Sequence, residues 1–473
     1  MARDWRNDRI DELEALVRAQ QATIEEQRRT IVLLEARVLE LEAQLGRRSG
    51  NSSLPPSADP PGAPPPAPPK RTGRRRGAQP GHPGRSRTLL PPERVTHTEV
   101  LKPQSCRRCG KGLTGEDPVP NRHQVIDIPK VVATVNEYQL HALRCPECGI
   151  TTCATLPPGV PTIDFGPRLQ AIVSLCSGDY RMSKRDIERL VEDFFDVPIS
   201  LGSISMLEQV SSEAIAAPVE EVAQAIQKQP VVHADETGWY EHSKRAWLWV
   251  AVTGSIAVFL IRASRGAEVA KELLGEMFSG ILHSDRWSAY SWVDAVRRQL
   301  CWAHLLRHFR GFQERGPEAA EIGSALQLLT EVMFHAWHQV KDGTMTRADF
   351  QAIMERLKQR VLARLHEGAS CSVPHVAGKC REILKLEPAL WTFVHTEGVE
   401  PTNNAAELMM RHGVLWRKGS FGTDSPNGSR FVERILTVVL TLRLQKRNVL
   451  DYMTSACESF LRGEPPPSLL PAS

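Results

Sequence analysis

Along residues 10–45 the apolar positions recur in alternating steps of three and four. Ile10, Leu13, Val17, Ile24, Ile31, Leu34, Val38, Leu41 and Leu45, with Gln20 and Gln27 in the same register, form one a/d seam held for five heptads. This predicts a coiled coil over residues 1–45. β-branched residues dominate a and Leu dominates d, a choice that favours parallel two-stranded pairing and hence a homodimer. Arg9 with Glu14 and Arg37 with Glu42 would then face each other across neighbouring chains. The alternative is a single amphipathic helix lying on its own domain, but the proline-rich stretch that follows offers little surface to lie on.

Residues 159–228 return to a helical period. Ser183 with Asp186 three residues on marks a helix start, Val197-Pro198 ends that helix, and Ser200 starts another running through Gln209. Helix, short turn, helix is the layout of a DNA-reading motif. Residues 201–209 carry no Lys or Arg, however, so a plain helical bundle fits the pattern as well.

From Val231 the pattern becomes that of strands. Residues 231–237 are an apolar run ending in acids; residues 247–252 and 256–261, joined by Thr253-Gly254-Ser255, read as a hairpin. Residues 267–278 are helical, 281–285 form another strand ending in an acid, and 297–302 a fifth. Three antiparallel strands, a helix, and further strands linked by helices is the order of an RNase H-like core. The predicted fold is therefore multidomain α/β. The core occupies 229–302 and 396–447, split by a helical insertion over 303–395 and followed by a C-terminal tail at 448–473.

Composition supports several domains. The chain has 473 residues, 41% of them hydrophobic and 24% charged, which excludes disorder throughout and predicts two to four domains. The longest nearly apolar stretch, 247–261, is interrupted and too short for a membrane helix. The N-terminus is charged and lacks a secretory core, so the expected location is the cytoplasm. In that compartment cysteines serve as metal ligands or buried thiols more readily than as disulfides.

The net charge of +4 conceals its distribution. Residues 55–69 include nine prolines, a polyproline-like spacer within a linker over 46–95. Across residues 70–94 eight cations, Arg74, Arg75 and Arg76 among them, oppose Glu93 alone, a local +7. Residues 403–447 carry a further +5, including Arg411, Arg417 and Lys418. Such regions follow a phosphate backbone without reading sequence, so double-stranded DNA is the expected partner, a solubilising linker being the alternative for the first.

Two Cys-x-x-Cys knuckles, Cys106/Cys109 and Cys145/Cys148, are each followed by Gly. Two such turns complete a tetrahedral four-sulfur site, predicting structural Zn²⁺ in a zinc ribbon over 96–158, with strands at 125–128 and 131–140 between the knuckles. A redox pair is the alternative for either knuckle, and Cys153 is a less well spaced substitute ligand. Asp235 and Asp285, at strand ends, need a third acid to hold divalent cations at a phosphodiester. Glu407 supplies one, in the second turn of a helix capped by Thr402, with Arg411 one turn further. Glu236 rivals Asp235, but adjacent strand residues point to opposite faces. His304 and Arg307 follow the fifth strand and are candidates for DNA or phosphate contact. A structural histidine, or half of another zinc site with Cys301, is the alternative for His304.

Five blocks carry a resemblance: His-Ala-Asp235-Glu-Thr-Gly-Trp, His-Ser-Asp285-Arg-Trp-Ser-Ala-Tyr, Cys301-Trp-Ala-His304-Leu-Leu-Arg307, Thr402-Asn-Asn-Ala-Ala-Glu407 and Trp416-Arg-Lys-Gly-Ser-Phe421. With Gln79-Pro-Gly-His82-Pro-Gly in the linker, the chain resembles bacterial transposases of the insertion-sequence sixty-six family. The resemblance implies a DDE transposase that works at the nucleoid in the bacterial cytoplasm, binds the ends of its element, hydrolyses DNA and transfers the strand to target DNA. It further implies Asp235, Asp285 and Glu407 as catalytic ligands of Mg²⁺ or Mn²⁺, and accessory proteins encoded by the same element. The chain departs from the family at Leu408, where Arg is usual. A metal-dependent nuclease that cuts without joining, or a DNA-binding derivative without catalysis, fits the same motifs.

Overall fold

The computed structural model describes residues 16, 20–35, 38 and 87–471. Residues 20–35 are helical, and the seam residues Ile24, Ile31 and Leu34 lie half exposed. Gln20, Gln27 and Val38 of the seam are described as well; Ile10, Leu13, Val17, Leu41 and Leu45, and the arginines 74–76, fall outside the described residues.

Residues 96–158 are mostly exposed and irregular. The expected strands at 125–128 and 131–140 are absent: Val125, Ile128 and Val135 are more than three-quarters exposed, with no neighbouring strand to complete a ladder and no core to bury against. The hairpin here is instead β1 (Ala142–Arg144) with β2 (Thr151–Cys153), flanking the second knuckle.

A helical group follows: α1 (Pro167–Gly178), α2 (Lys184–Phe195), α3 (Leu201–Ala214) and α4 (Ala216–Ile226). Ser183 and Ser200 cap α2 and α3 by accepting from Asp186 N and Ser203 N, and Asp196 closes α2 in the left-handed conformation. Val173, Ile187, Val191, Ile204 and Leu207 form the small core between α1, α2 and α3. α3 runs past Gln209 because Leu207, Ser211 and Ala214 continue its buried stripe.

The central sheet has β3 (Val231–Glu241), β4 (Lys244–Val252), β5 (Ala257–Arg262), β6 (Ile281–Ser284) and β7 (Arg298–Leu300) in the order β5-β4-β3-β6-β7. The first three pair antiparallel, β6 and β7 parallel. Between β5 and β6 lies α5 (Ala267–Leu274), shorter than the expected helix because Gly275, at φ 83°, ends it. β7 is likewise shorter than expected, since Cys301 already caps the next helix.

Beyond β7 come α6 (Trp302–Gln313), α7 (Pro317–Lys341), α8 (Arg347–Ser370), α9 (Pro374–Lys385) and the single turn α10 (Thr392–His395), built on one core of their own around Phe309, Phe350 and Phe393. The chain then returns to the sheet with α11 (Asn404–Ser420), α12 (Pro426–Leu444) and α13 (Val449–Arg462). The region after residue 448, expected as a tail, is a packed helix: Tyr452, Met453 and Ala456 enter the main core, as does Leu469 beyond it.

α12 closes the open edge of the sheet by a regular device. Ile261 N, Phe259 N and Ala257 N of β5 donate to Glu433 Oε1, Thr437 Oγ1 and Thr441 Oγ1 at 2.5, 3.0 and 3.0 Å. Four residues of helix rise about 6 Å and two of strand about 6.7 Å, so an i, i+4, i+8 row matches alternate amides of an edge strand. The edge is therefore covered and satisfied within the chain. Among the described residues no helix is long and apolar enough to cross a membrane.

Candidate active site

Just past the ends of β6 and β7, two loop ends are tied to each other and to the interior of β3. Cys301 N, after β7, donates to Ser284 O at the end of β6 (3.1 Å), and Trp302 N donates to Pro401 O ahead of α11 (2.9 Å). Asn403 Nδ2 donates to Ala234 O in β3 (2.8 Å), and its Oδ1 lies 3.1 Å from His233 Nδ1. Each tie falls beside a candidate acid: Asp285 follows Ser284, Asp235 follows Ala234, and Glu407 lies four residues beyond Asn403. The expected Thr402 cap is corrected accordingly. Asn403 is the N-cap, its side chain is spent across to β3, and Glu407 falls in the first turn of α11, its N–H bonded to Asn403 O.

Asp235, Glu236, Asp285 and Glu407 line one open cavity of about 770 Å³ with His304, Arg307, Arg315, Arg411 and Lys418. A second cavity of about 590 Å³ shares Asp285, His304 and His308 with it and adds Arg286 and Lys379. Burial pushes the Asp235 carboxyl well above the ordinary carboxylate range, and the charges of Glu236, Asp285 and Glu407 push it further. The three candidate acids thus share a cavity and a field. Among the described residues their oxygens do not close into one ligand shell; the group whose ligand atoms all fall within 4.8 Å is Cys301, His304 and Glu407.

Glu236 pairs with Trp249 of β4 and Asp235 with Val250, so the two side chains leave the sheet on opposite faces. The Glu236 carboxylate is fully engaged: Arg265 donates to Oε1 from Nε (3.0 Å) and Nη2 (2.7 Å), and Tyr290 Oη donates to Oε2 (2.6 Å). Burial and the Asp285 charge still raise its carboxyl to about 7, against the pull of Tyr290 and Arg265. Arg265 lies between Trp287 and Trp247, 3.8 and 4.6 Å from the ring centres.

Of the other predicted contacts, His304 and Arg307 lie on α6 and line the larger cavity, as do Arg411 and Lys418 on α11. Arg417 does not. Its guanidinium donates to Gly238 O and, at 3.2 Å, to Thr237 Oγ1, fastening α11 to β3.

The two knuckles expected to build the four-sulfur cluster each take shape locally. Each knuckle forms its turn: Gly110 N and Gly149 N donate to Cys106 O and Cys145 O, with both glycines at positive φ. Backbone amides within the turns, and then the Cys109 and Cys148 thiols, hold the Cys106 and Cys145 thiols below their ordinary value. Yet Cys106 with Cys109, and Cys145 with Cys148, stand as two separate pairs. Among the described residues no three of these four sulfurs lie within 4.8 Å of one another, and Cys109 and Cys148 are exposed. Residues 113–141 between the turns form no strand and bury no side chain, so the chain's own packing does not draw one pair onto the other. Cys153, the substitute ligand, is an exposed residue at the end of β2 and joins neither pair in such a cluster.

Arg265, Tyr290, Asn403 and Arg298 escaped the sequence reading. Arg298, fully buried, donates to Ser284 Oγ and Asp285 O at 3.1 and 3.0 Å. An arginine inside a short predicted strand was its one sequence signal; Tyr290 closes the quoted Asp285 block without a role read from it, and Arg265 has no signal, because their partner is in β3.

This is an α/β protein whose sheet end gathers acids between basic walls. Residues 164–430 match the family described as "Transposase IS66 family", and the chain belongs to that family. Residues 3–88 match a family of unknown function (DUF6444). An uncharacterized protein, y4qI, of Sinorhizobium fredii (strain NBRC 101917 / NGR234) is 24% identical over 410 residues, covering 79% of this chain and 73% of its own.

Proposed function

We propose that the chain is a DDE transposase with an RNase H-like core, in which Asp235, Asp285 and Glu407 hold divalent metal for DNA hydrolysis and strand transfer. The observation that carries this reading is the convergence of the three acids, from β3, β6 and α11, on one cavity with arginine and lysine walls. The donor set fits a hard cation: carboxylate oxygens that repel one another and raise Asp235 when no positive charge lies between them. Mg²⁺ or Mn²⁺ bound there supplies the Lewis acidity that phosphodiester hydrolysis and transesterification need.

The chain's own groups hold the substrate. Arg307, Arg315, Arg411 and Lys418 bind the phosphate backbone along the cavity, and His304 contacts the strand at its floor. Asn403 and Arg417 position α11, and with it Glu407, against β3. The order β5-β4-β3-β6-β7, with three antiparallel strands and two parallel ones, supports the RNase H-like assignment. The helical pair α2 and α3 serves as a helix-turn-helix-like DNA-binding unit, and the N-terminal helix pairs two chains. Cys106, Cys109, Cys145 and Cys148 bind structural Zn²⁺, whose coordination bonds bring the two turns together where packing does not. Accessory proteins of the same element complete the assembly.

The test is cleavage of a duplex carrying the end of the element. The wild type is expected to cut in Mg²⁺ and not in EDTA, and Asp235→Asn, Asp285→Asn and Glu407→Gln each to lose at least about a hundredfold in rate. Undiminished cutting by any of the three removes that residue from the site.

A further inference from the structure

The tightest ligand cluster among the described residues is not the acidic one. Cys301 Sγ lies 4.0 Å and His304 Nδ1 3.4 Å from the same Glu407 oxygen, Oε1. His304 Nδ1 is buried without a hydrogen-bond partner, and Cys301 Sγ, beside its approach to Glu407, receives the Asn403 N–H at 3.3 Å. Sequence and helix geometry place the pair: Cys301 is the N-cap of α6 and His304 lies three residues on, so both side chains meet the start of α11.

The chemistry of this set differs from that of the three acids. Mg²⁺ takes oxygen ligands in an octahedron. A thiolate, an imidazole and a carboxylate are instead a tetrahedral zinc set with one open position. Zinc bonds of about 2.3 Å to sulfur and about 2.0–2.2 Å to nitrogen and oxygen place tetrahedral ligand atoms about 3.3–3.6 Å apart. The separations here close to that with small side-chain shifts.

Glu407 belongs to both sets. We propose that Cys301, His304 and Glu407 form a zinc site which, when filled, withdraws Glu407 from the acidic cluster and so inhibits the magnesium-dependent reaction. On binding, the Cys301 thiol loses its proton to solvent and the thiolate becomes the ligand. The inhibitory half rests on the catalytic reading above; the binding half does not.

Cobalt(II), a spectroscopic substitute for zinc, separates the two halves. It is titrated into the full-length protein carrying Cys106→Ser and Cys145→Ser, which disable both knuckles as ligands. One equivalent is expected to bind with a thiolate-to-cobalt absorption band. Adding Cys301→Ser removes the band, and His304→Gln, at a more exposed position, weakens binding at least about tenfold while the band returns at high cobalt. Titrations unchanged in both variants overturn the site. In the cleavage assay at fixed Mg²⁺, zinc inhibits the otherwise wild-type protein, and Cys301→Ser needs at least about tenfold more zinc for the same inhibition. Equal zinc sensitivity overturns the competition. A protein that gives the cobalt result but cuts no DNA in Mg²⁺ keeps the metal site and loses the catalytic reading together with its inhibition.

Discussion

Glu236 is held by three donor groups, two from Arg265 and one from Tyr290, and still keeps its proton to about pH 7, because burial and the Asp285 charge outweigh Tyr290 and Arg265. A carboxyl raised by folding binds more protons in the native chain than in the unfolded one. Its contribution to stability is therefore full below about pH 4.5 and is lost as pH rises to about 7. With its side chain 1% exposed, the loss is on the order of 3 kcal/mol. Urea unfolding of the metal-free protein is expected to weaken across that window, and Glu236→Gln to flatten the slope. An unchanged slope in the variant assigns the titration elsewhere. Asp235, raised by burial and then by the charges of Glu236, Asp285 and Glu407, adds to the slope that remains.

At the scale of elements, α12 completes the sheet edge with side chains rather than with a strand. Thr437→Val keeps the shape but leaves Phe259 N–H buried without an acceptor, a loss of about 1–3 kcal/mol measurable by denaturant unfolding. A variant as stable as the wild type shows that the amide finds another partner. Elements were largely legible along the chain. Ser183 and Ser200 announced their helices because caps act within three residues, and β4 and β5 followed from their apolar runs around Thr253-Gly254-Ser255. The errors lie where the deciding partner is remote. Thr402 reads as a cap, yet Asn403 takes the position because its side chain reaches Ala234 and His233. Residues 125–140 alternate like strands but meet no partner. For the same reason Cys106 with Cys109 and Cys145 with Cys148 were legible as local turns, whereas their union in one sulfur shell depends on a connecting segment that buries no side chain. Asp285 was legible after a strand and Glu407 at a helix start, while Asp235, expected at a strand end, lies inside β3, which runs on to Glu241; Arg265, Tyr290 and Arg298 depend on contacts 13 to 54 residues away along the chain.

The whole molecule divides its charge and its tasks along the chain. Within 473 residues a heptad segment, a +7 linker and two knuckles precede the region that matches the transposase family. Ile24, Ile31 and Leu34 sit half exposed on their helix, so its apolar seam is available to a second copy. Removing residues 1–45 is expected to convert a dimer to a monomer in light scattering while leaving the fold of 164–430 intact; a dimer that persists places the interface elsewhere. On the proposed function, cutting and joining share the one cavity that gathers acids and basic walls. The most direct test is strand transfer: a precut element end, target DNA and Mg²⁺ with the full-length protein. The account predicts joined product from the wild type and none from folded Asp235→Asn, Asp285→Asn or Glu407→Gln. Joined product from any of these variants, or cleavage by the wild type that never proceeds to joining, contradicts it.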